Sequence, residues 1–195
     1  MVTQERLYTA EDLWELSQRP ENAGKRFRLI EGVLYEVSPT GWLHGKVTWL
    51  LTIHVGNFVL AHSLGHMTGA ETGYVLYRNP DGKDTVLAPD LAFIRQEQGL
   101  ETVTEQYVPF APDLAVEVMS PSNTDVEITS KVDAYLRYGT RMVWVVFPKE
   151  QRLLVYRPTG EANEANLRFL SIDDMLDGED VLPGFTLPLR QLFET

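Results

Sequence analysis

LAVEVMSPSNTDVEITSKVDAYLRYGTRMVWVVF, residues 114–147, sets the architecture. Its first run, 114–119, is apolar except for Glu117, as expected of a central strand buried on both faces. Ser-Pro-Ser-Asn-Thr-Asp, 120–125, is a loop rich in helix-capping side chains. Ile128, Val132, Tyr135 and Leu136 then recur at helical spacing, and Gly139 suits the C-terminal cap. Residues 142–147 are a second buried strand, 148–151 a turn, and 152–156 a hairpin partner. Strand, helix and strand in succession predict an α/β arrangement.

Working outward, Thr9 stands before Leu13 and Leu16 as the N-cap of a short helix. Segments 27–30 and 33–37 flank Glu31-Gly32, a hairpin signal in which glycine can take positive φ. Residues 42–62 form a long, mostly apolar helix. Gly45 and Gly56 inside it each cost roughly 1 kcal/mol against alanine, which predicts close packing against a neighbour. Residues 73–77 and 85–88 read as strands joined by the turn Asn79-Pro-Asp-Gly82. The polar segment 95–111 is a loop or flap, and a weak strand lies near 167–170. The whole predicts one mixed sheet with a helix before it and a helix between its strands. With no repeat, no low-complexity tract and 195 residues, residues 1–195 are expected to be one domain.

The chain contains no cysteine, so disulfides are excluded and a reducing compartment fits. The first residues show no basic region followed by an apolar run, and the apolar stretch 42–60 is broken by His44, Lys46, His54 and Asn57. A secretion signal and a membrane span are therefore not expected, and the protein is expected in the cytoplasm. The net charge of −11 opposes binding to nucleic acid, whose partners are usually basic. The acid excess is uneven: residues 161–195 hold eight acidic groups against Arg168 and Arg190.

Two carboxylates interrupt apolar strands. Asp90 lies between Val86-Leu-Ala88 and Leu91-Ala-Phe93, and Glu117 lies among Leu114, Ala115, Val116 and Val118. Burying a carboxylate is costly unless it is paired, hydrogen-bonded or bound to a cation. One shared Mg²⁺ (or Mn²⁺), which prefers carboxylate oxygen and water, accounts for both. Lys131, at helical spacing from Ile128 and Tyr135, can face the sheet and extend its amine toward a metal-bound water. Each residue also has a plainer reading. Asp90 after proline can be a turn former, Glu117 can pair with Arg141, and Lys131 can be a solvated helix residue. His54, His62 and His66 have no spacing that makes a zinc site.

These residues resemble a known group. Pro89-Asp90 followed by Glu117-Val118-Met119 is similar to the PD-(D/E)XK nuclease superfamily. Within it, the resemblance is to the bacterial Uma-two family of restriction-endonuclease-like proteins. It runs through 27–32, His44, Pro89-Asp90, Glu117-Val-Met-Ser-Pro-Ser122, Lys131, Tyr135, Gly139 and 143–146. The resemblance implies a restriction-endonuclease-like fold, a central mixed sheet flanked by helices with an N-terminal β-hairpin. It implies Asp90 and Glu117 as metal ligands, the carbonyl of Val118 as a third, and DNA as the partner. The superfamily lysine would fall at 119, where this chain has Met119, so Lys131 would take its role. The implied reaction is hydrolysis by a metal-activated water that Lys131 orients.

Glu31 and His44 are outer candidates. Glu31 is a further acidic ligand or a hairpin-turn residue; His44 contacts a phosphate or leaving oxygen, or caps and packs its helix. Three functions stay open from sequence. The first is an Mg²⁺-dependent DNA endonuclease, and the second a non-catalytic binding or assembly protein that keeps the nuclease fold. The third is a hydrolase of another phosphodiester. Trp14, Trp42 and Trp49 either mark the surface of a homodimer or are buried in the core.

Overall fold

In the computed structural model, which describes residues 7–98, 105–121, 123–161 and 164–194, the segment 114–147 folds as its pattern predicts. Strand β7 (Leu114–Val118) runs into α3 (Asp125–Arg137) and returns as β8 (Met142–Phe147). Strands β7 and β8 are parallel, with Leu114 opposite Met142 and Val118 opposite Val146. Helix α3 starts where Thr124 accepts the Glu127 N–H on its hydroxyl, and it ends before Gly139 at φ +109°.

Around this pair the sheet extends in both directions. Strands β3 (Gly65–Gly69) and β6 (Leu91–Arg95) add antiparallel on one side. Strands β9 (Arg152–Pro158) and β10 (Ala165–Leu170) add antiparallel on the other. The resulting six-stranded mixed sheet has the order β10-β9-β8-β7-β6-β3.

Strand alternation divides its core in two. Leu114, Val116 and Val118 point toward α2 (Trp42–His62) and pack with Val47, Leu51, Val55 and Val59. Ala115, Val143 and Val145 point the other way, toward Ile128, Val132 and Tyr135 of α3. Glu117 has the parity of Ala115 and therefore faces α3.

A second sheet was not expected. The hairpin β1 (Arg26–Ile30) and β2 (Val33–Val37) does not join the central sheet. It pairs with β5 (Thr85–Leu87) and β4 (Tyr74–Tyr77) in the antiparallel order β2-β1-β5-β4. Period-two patterning identifies strands but does not say which strands share a sheet. The turn at Glu31-Gly32, both at positive φ (48° and 80°), is the hairpin read from sequence. Helix α1 (Ala10–Gln18) packs on this sheet through Leu13, after a capping box between Thr9 and Asp12.

Two further expectations change. The loop at 95–111 includes a short 3₁₀ turn at Gln96–Gln98, and its residues 99–104 lie outside the described residues, as does Ser122 of the loop at 120–125. The glycines of α2 do not mark close packing: an added Cβ at Gly45 or Gly56 meets nothing within 4 Å. Among the described residues, no helix is long and apolar enough to cross a membrane.

Candidate functional site

Asp90 sits one residue before β6, where Leu91 pairs with Val116 of β7. Its own N–H still donates to the Val116 carbonyl at 2.9 Å. Extending the antiparallel register by one position sets Asp90 across from Glu117, where facing side chains are close neighbours. Beyond that point the ladder is replaced by a side chain. The Val118 N–H donates to Asp90 Oδ2 at 2.8 Å, and His44 Nε2 lies 3.1 Å from the same oxygen. His44 comes from the first turn of α2 and is buried. Its contact is thus with Asp90, a carboxylate; the sequence reading left open a phosphate or leaving oxygen on one hand and a capping or packing role on the other.

Glu117 is buried at 4% exposure, and both carboxylate oxygens are engaged. Lys131 Nζ donates to Oε2 at 2.5 Å, and the Tyr135 hydroxyl donates to Oε1 at 2.9 Å. Both donors lie on one face of α3, four residues apart, which is the spacing that stacks side chains over successive turns. Arg141, the alternative partner for Glu117, instead meets Asp113 and Asp180. Burial pushes the Glu117 carboxyl above its usual range; the Lys131 charge opposes this, and the nearby Asp90 charge adds to it. The Tyr135 hydroxyl is held well above its ordinary value by burial and then by the Glu117 charge.

These groups open on a cleft of about 460 Å³ bounded by β1, β2 and α1 on one side and the ends of β6 and β7 on the other. A polar chain runs along its wall. Arg28 donates to Glu127 at 2.6 Å, Asn123 donates to the same oxygen at 3.2 Å, and Ser120 donates from both N–H and hydroxyl to Asn123. Burial raises the Glu127 carboxyl, but the Arg28 hydrogen bond and charge outweigh it and hold it below its usual range. The basic side chains lining the cleft face carboxylates: Lys25 with Glu36, Arg26 with Glu71, Arg28 with Glu127 and Lys131 with Glu117.

Asp90, Glu117, Lys131 and His44 thus come together. Glu31 does not: it forms the tip of the β1–β2 turn, 66% exposed at its side chain, with Arg137 at 3.8 Å. Tyr135 was missed as a site residue, although its four-residue offset from Lys131 carries the signal. Arg28 and Asn123 were missed too: Arg28 reaches the cleft only through the packing of two sheets, whereas Asn123 bonds to Ser120 and Glu127, three and four residues away.

Asp90 and Glu117 suit a small divalent cation, which typically takes one or two carboxylates and fills its remaining positions with water. Among the described residues both contacts to the Asp90 side chain fall on Oδ2, which leaves Oδ1 available. No group of three or more His, Cys, Asp or Glu among the described residues forms a denser ligand cluster.

Comparison with known proteins adds three findings. Residues 11–190 match the family Uma2, "Putative restriction endonuclease". No curated protein matches the chain. Among solved structures, a "putative nuclease belonging to DUF820" from Anabaena variabilis superposes with a TM-score of 0.75 at 19% sequence identity. The superposition covers 95% of this chain and 97% of that one, and it establishes a shared fold.

Proposed function

Given that the chain belongs to the Uma2 family, we propose that it is a DNA endonuclease dependent on Mg²⁺, with Mn²⁺ as a substitute. Asp90 and Glu117 hold the cation, with the Val118 carbonyl as a third ligand. When bound, the cation lowers the pKa of a water molecule and offsets charge on the phosphodiester.

The chain's own residues do the rest. His44 and the Val118 N–H fix Asp90 by holding one oxygen in place. Tyr135 and Lys131 each take one oxygen of Glu117, so the carboxylate cannot rotate. Lys131 also brings positive charge to the cleft, where it orients the attacking water and steadies charge that develops on phosphate oxygen. The observation that carries this reading is the Lys131 amine on Glu117, beside Asp90, on the wall of an open cleft. On this reading the helix lysine takes the role that Met119 cannot serve.

A second reading keeps the fold without catalysis. What favours it is the cleft's charge: its lysines and arginines already face carboxylates, whereas a duplex backbone is bound mainly by cations free to neutralise phosphate. One experiment separates the two. Plasmid DNA is incubated with the protein and Mg²⁺ or Mn²⁺, beside Asp90→Ala and Lys131→Ala purified in parallel. Cleavage that needs the metal and is lost in both variants supports the nuclease. Equal cleavage by Asp90→Ala means a contaminant, and no cleavage with no Mn²⁺ bound in calorimetry supports the second reading.

A further inference from the structure

We propose that the outer face of α2 is the contact surface of a homodimer, in which a second copy of the chain lies antiparallel against it. The face pointing away from the core normally carries charge in a surface helix. Here it carries Trp42, Gly45, Trp49, Ile53, Gly56 and Leu60. At about 100° per residue these six fall within an arc of roughly 80°, a straight stripe roughly 27 Å long. The stripe lies opposite Val47, Leu51 and Val55, which are fully buried.

Burial within the chain does not account for the stripe. Trp42 is 84% exposed, Trp49 61% and Leu60 76%. The two glycines stand open, with nothing within 4 Å of an added Cβ. Trp14, by contrast, packs edge-on against Tyr107 at 5.3 Å and belongs to the fold.

Two features select a second copy as the occupant. The first is charge. The chain carries 28 acidic groups and a net charge of −11, so most approaches between copies are repulsive. Helix α2 contains no Asp or Glu, and its only lysine is Lys46, beside the stripe. Along α2 itself two copies can approach without setting carboxylate against carboxylate.

The second feature is symmetry. Read from either end, the stripe has the order large, small, large, large, small, large. A two-fold axis near position 51 sets Trp42 against Leu60 of the second copy, Gly45 beside its Gly56, and Trp49 against its Ile53. Glycine at the crossing lets the backbones approach, and the flanking tryptophans fill the space beside them. Such self-complementarity is what an isologous two-fold contact requires. With aromatic side chains covering roughly 150–250 Å² each, the four tryptophans and their aliphatic neighbours bring the buried area to roughly 1,000 Å², the lower bound for a specific interface.

The test is sedimentation equilibrium of the full chain at micromolar concentration. The expected species has twice the 22.2 kDa chain mass. Trp49→Glu and Leu60→Glu, both on solvent-facing positions, are expected to weaken dimerisation at least ten-fold while leaving circular dichroism and thermal unfolding of the monomer intact. Because the chain lacks cysteine, a single thiol reports the geometry. Ile53→Cys near the axis is expected to be joined to its own counterpart by a short bis-maleimide, and Leu60→Cys is not. A monomeric wild type overturns the proposal, as does a dimer unaffected by both glutamate variants. Self-crosslinking of Leu60→Cys overturns the antiparallel arrangement. Trp42 also borders a groove with Lys149 and Arg152; a monomer whose Trp42 fluorescence is quenched by single-stranded DNA would overturn the dimer in favour of a base-stacking surface.

Discussion

Replacing Lys131 with methionine keeps the bulk of the side chain and removes its charge from a carboxylate that is 4% exposed. Breaking one side of a buried ion pair costs about 3–5 kcal/mol when the remaining charge stays ionised. Glu117 has an alternative, which is to bind a proton, and this makes the loss depend on pH. In the wild type, burial already raises the Glu117 carboxyl while Lys131 restrains the rise. Without Lys131 the folded-state value moves further upward, whereas the unfolded chain keeps a value near 4.3. A raised carboxyl means the folded state binds more protons than the unfolded one between the two values. Stability is then complete below the unfolded value and falls as pH rises toward the folded one, by at most about 1.4 kcal/mol per pH unit. Lys131→Met is therefore expected to lie close to wild type near pH 4.5 and to fall behind it by about 3 kcal/mol at pH 8. For a chain of this size that is a drop of roughly 6–12 °C in Tm. Differential scanning calorimetry at several pH values reads this directly, and Lys131→Met combined with Glu117→Gln is expected to flatten the pH dependence. A Lys131→Met deficit that is the same at pH 5 and pH 8, or absent at both, would refute the buried pair as described.

Three other expectations follow from the same geometry. Tyr135→Phe removes the donor to Glu117 Oε1 and leaves a buried acceptor unsatisfied, a loss of about 1–3 kcal/mol measurable by urea unfolding. Asp90→Asn keeps an oxygen for the Val118 N–H and is expected to retain the wild-type Tm within a few degrees while Mn²⁺ binding by calorimetry falls at least ten-fold; unchanged binding would remove Asp90 from the ligand set. Gly32→Ala places a Cβ 3.1 Å from the Gly82 carbonyl at a φ of +80°, and is expected to cost about 1–3 kcal/mol in thermal unfolding.

Much of the local structure was legible because its signals are short-ranged. The strand that ends at Val118, one residue short of the run read from sequence, the capped helix carrying Lys131 and the strand at 142–147 lie where periodicity and capping place them. The pairing of Asp90 with Glu117 across neighbouring strands was legible too, because a carboxylate inside an apolar strand needs a partner. Tyr135 could have been read from its place one turn after Lys131. Arg28 and Asn123 could not, because a polar residue in a hairpin or loop looks the same whether it faces solvent or a cleft. The open glycines of α2 were misread for a related reason: their cost in a helix is visible in the sequence, but not whether the neighbour that justifies it lies within the chain.

The sequence by itself singled out residues that the fold brings together at the cleft, Asp90, Glu117, Lys131 and His44, and most of the segments that are strands and helices. Hydrophobic period, caps and turn residues act over only a few positions, so they speak to segments and not to how segments meet. Tertiary structure decided the rest: that the N-terminal hairpin builds a separate sheet walling the cleft, that His44 serves Asp90, and that the Lys131 amine ends on Glu117. Each of these depends on packing across tens of residues of chain, from 44 to 90 or from 28 to 127, where loop closure and burial, acting on the whole molecule, choose the partner.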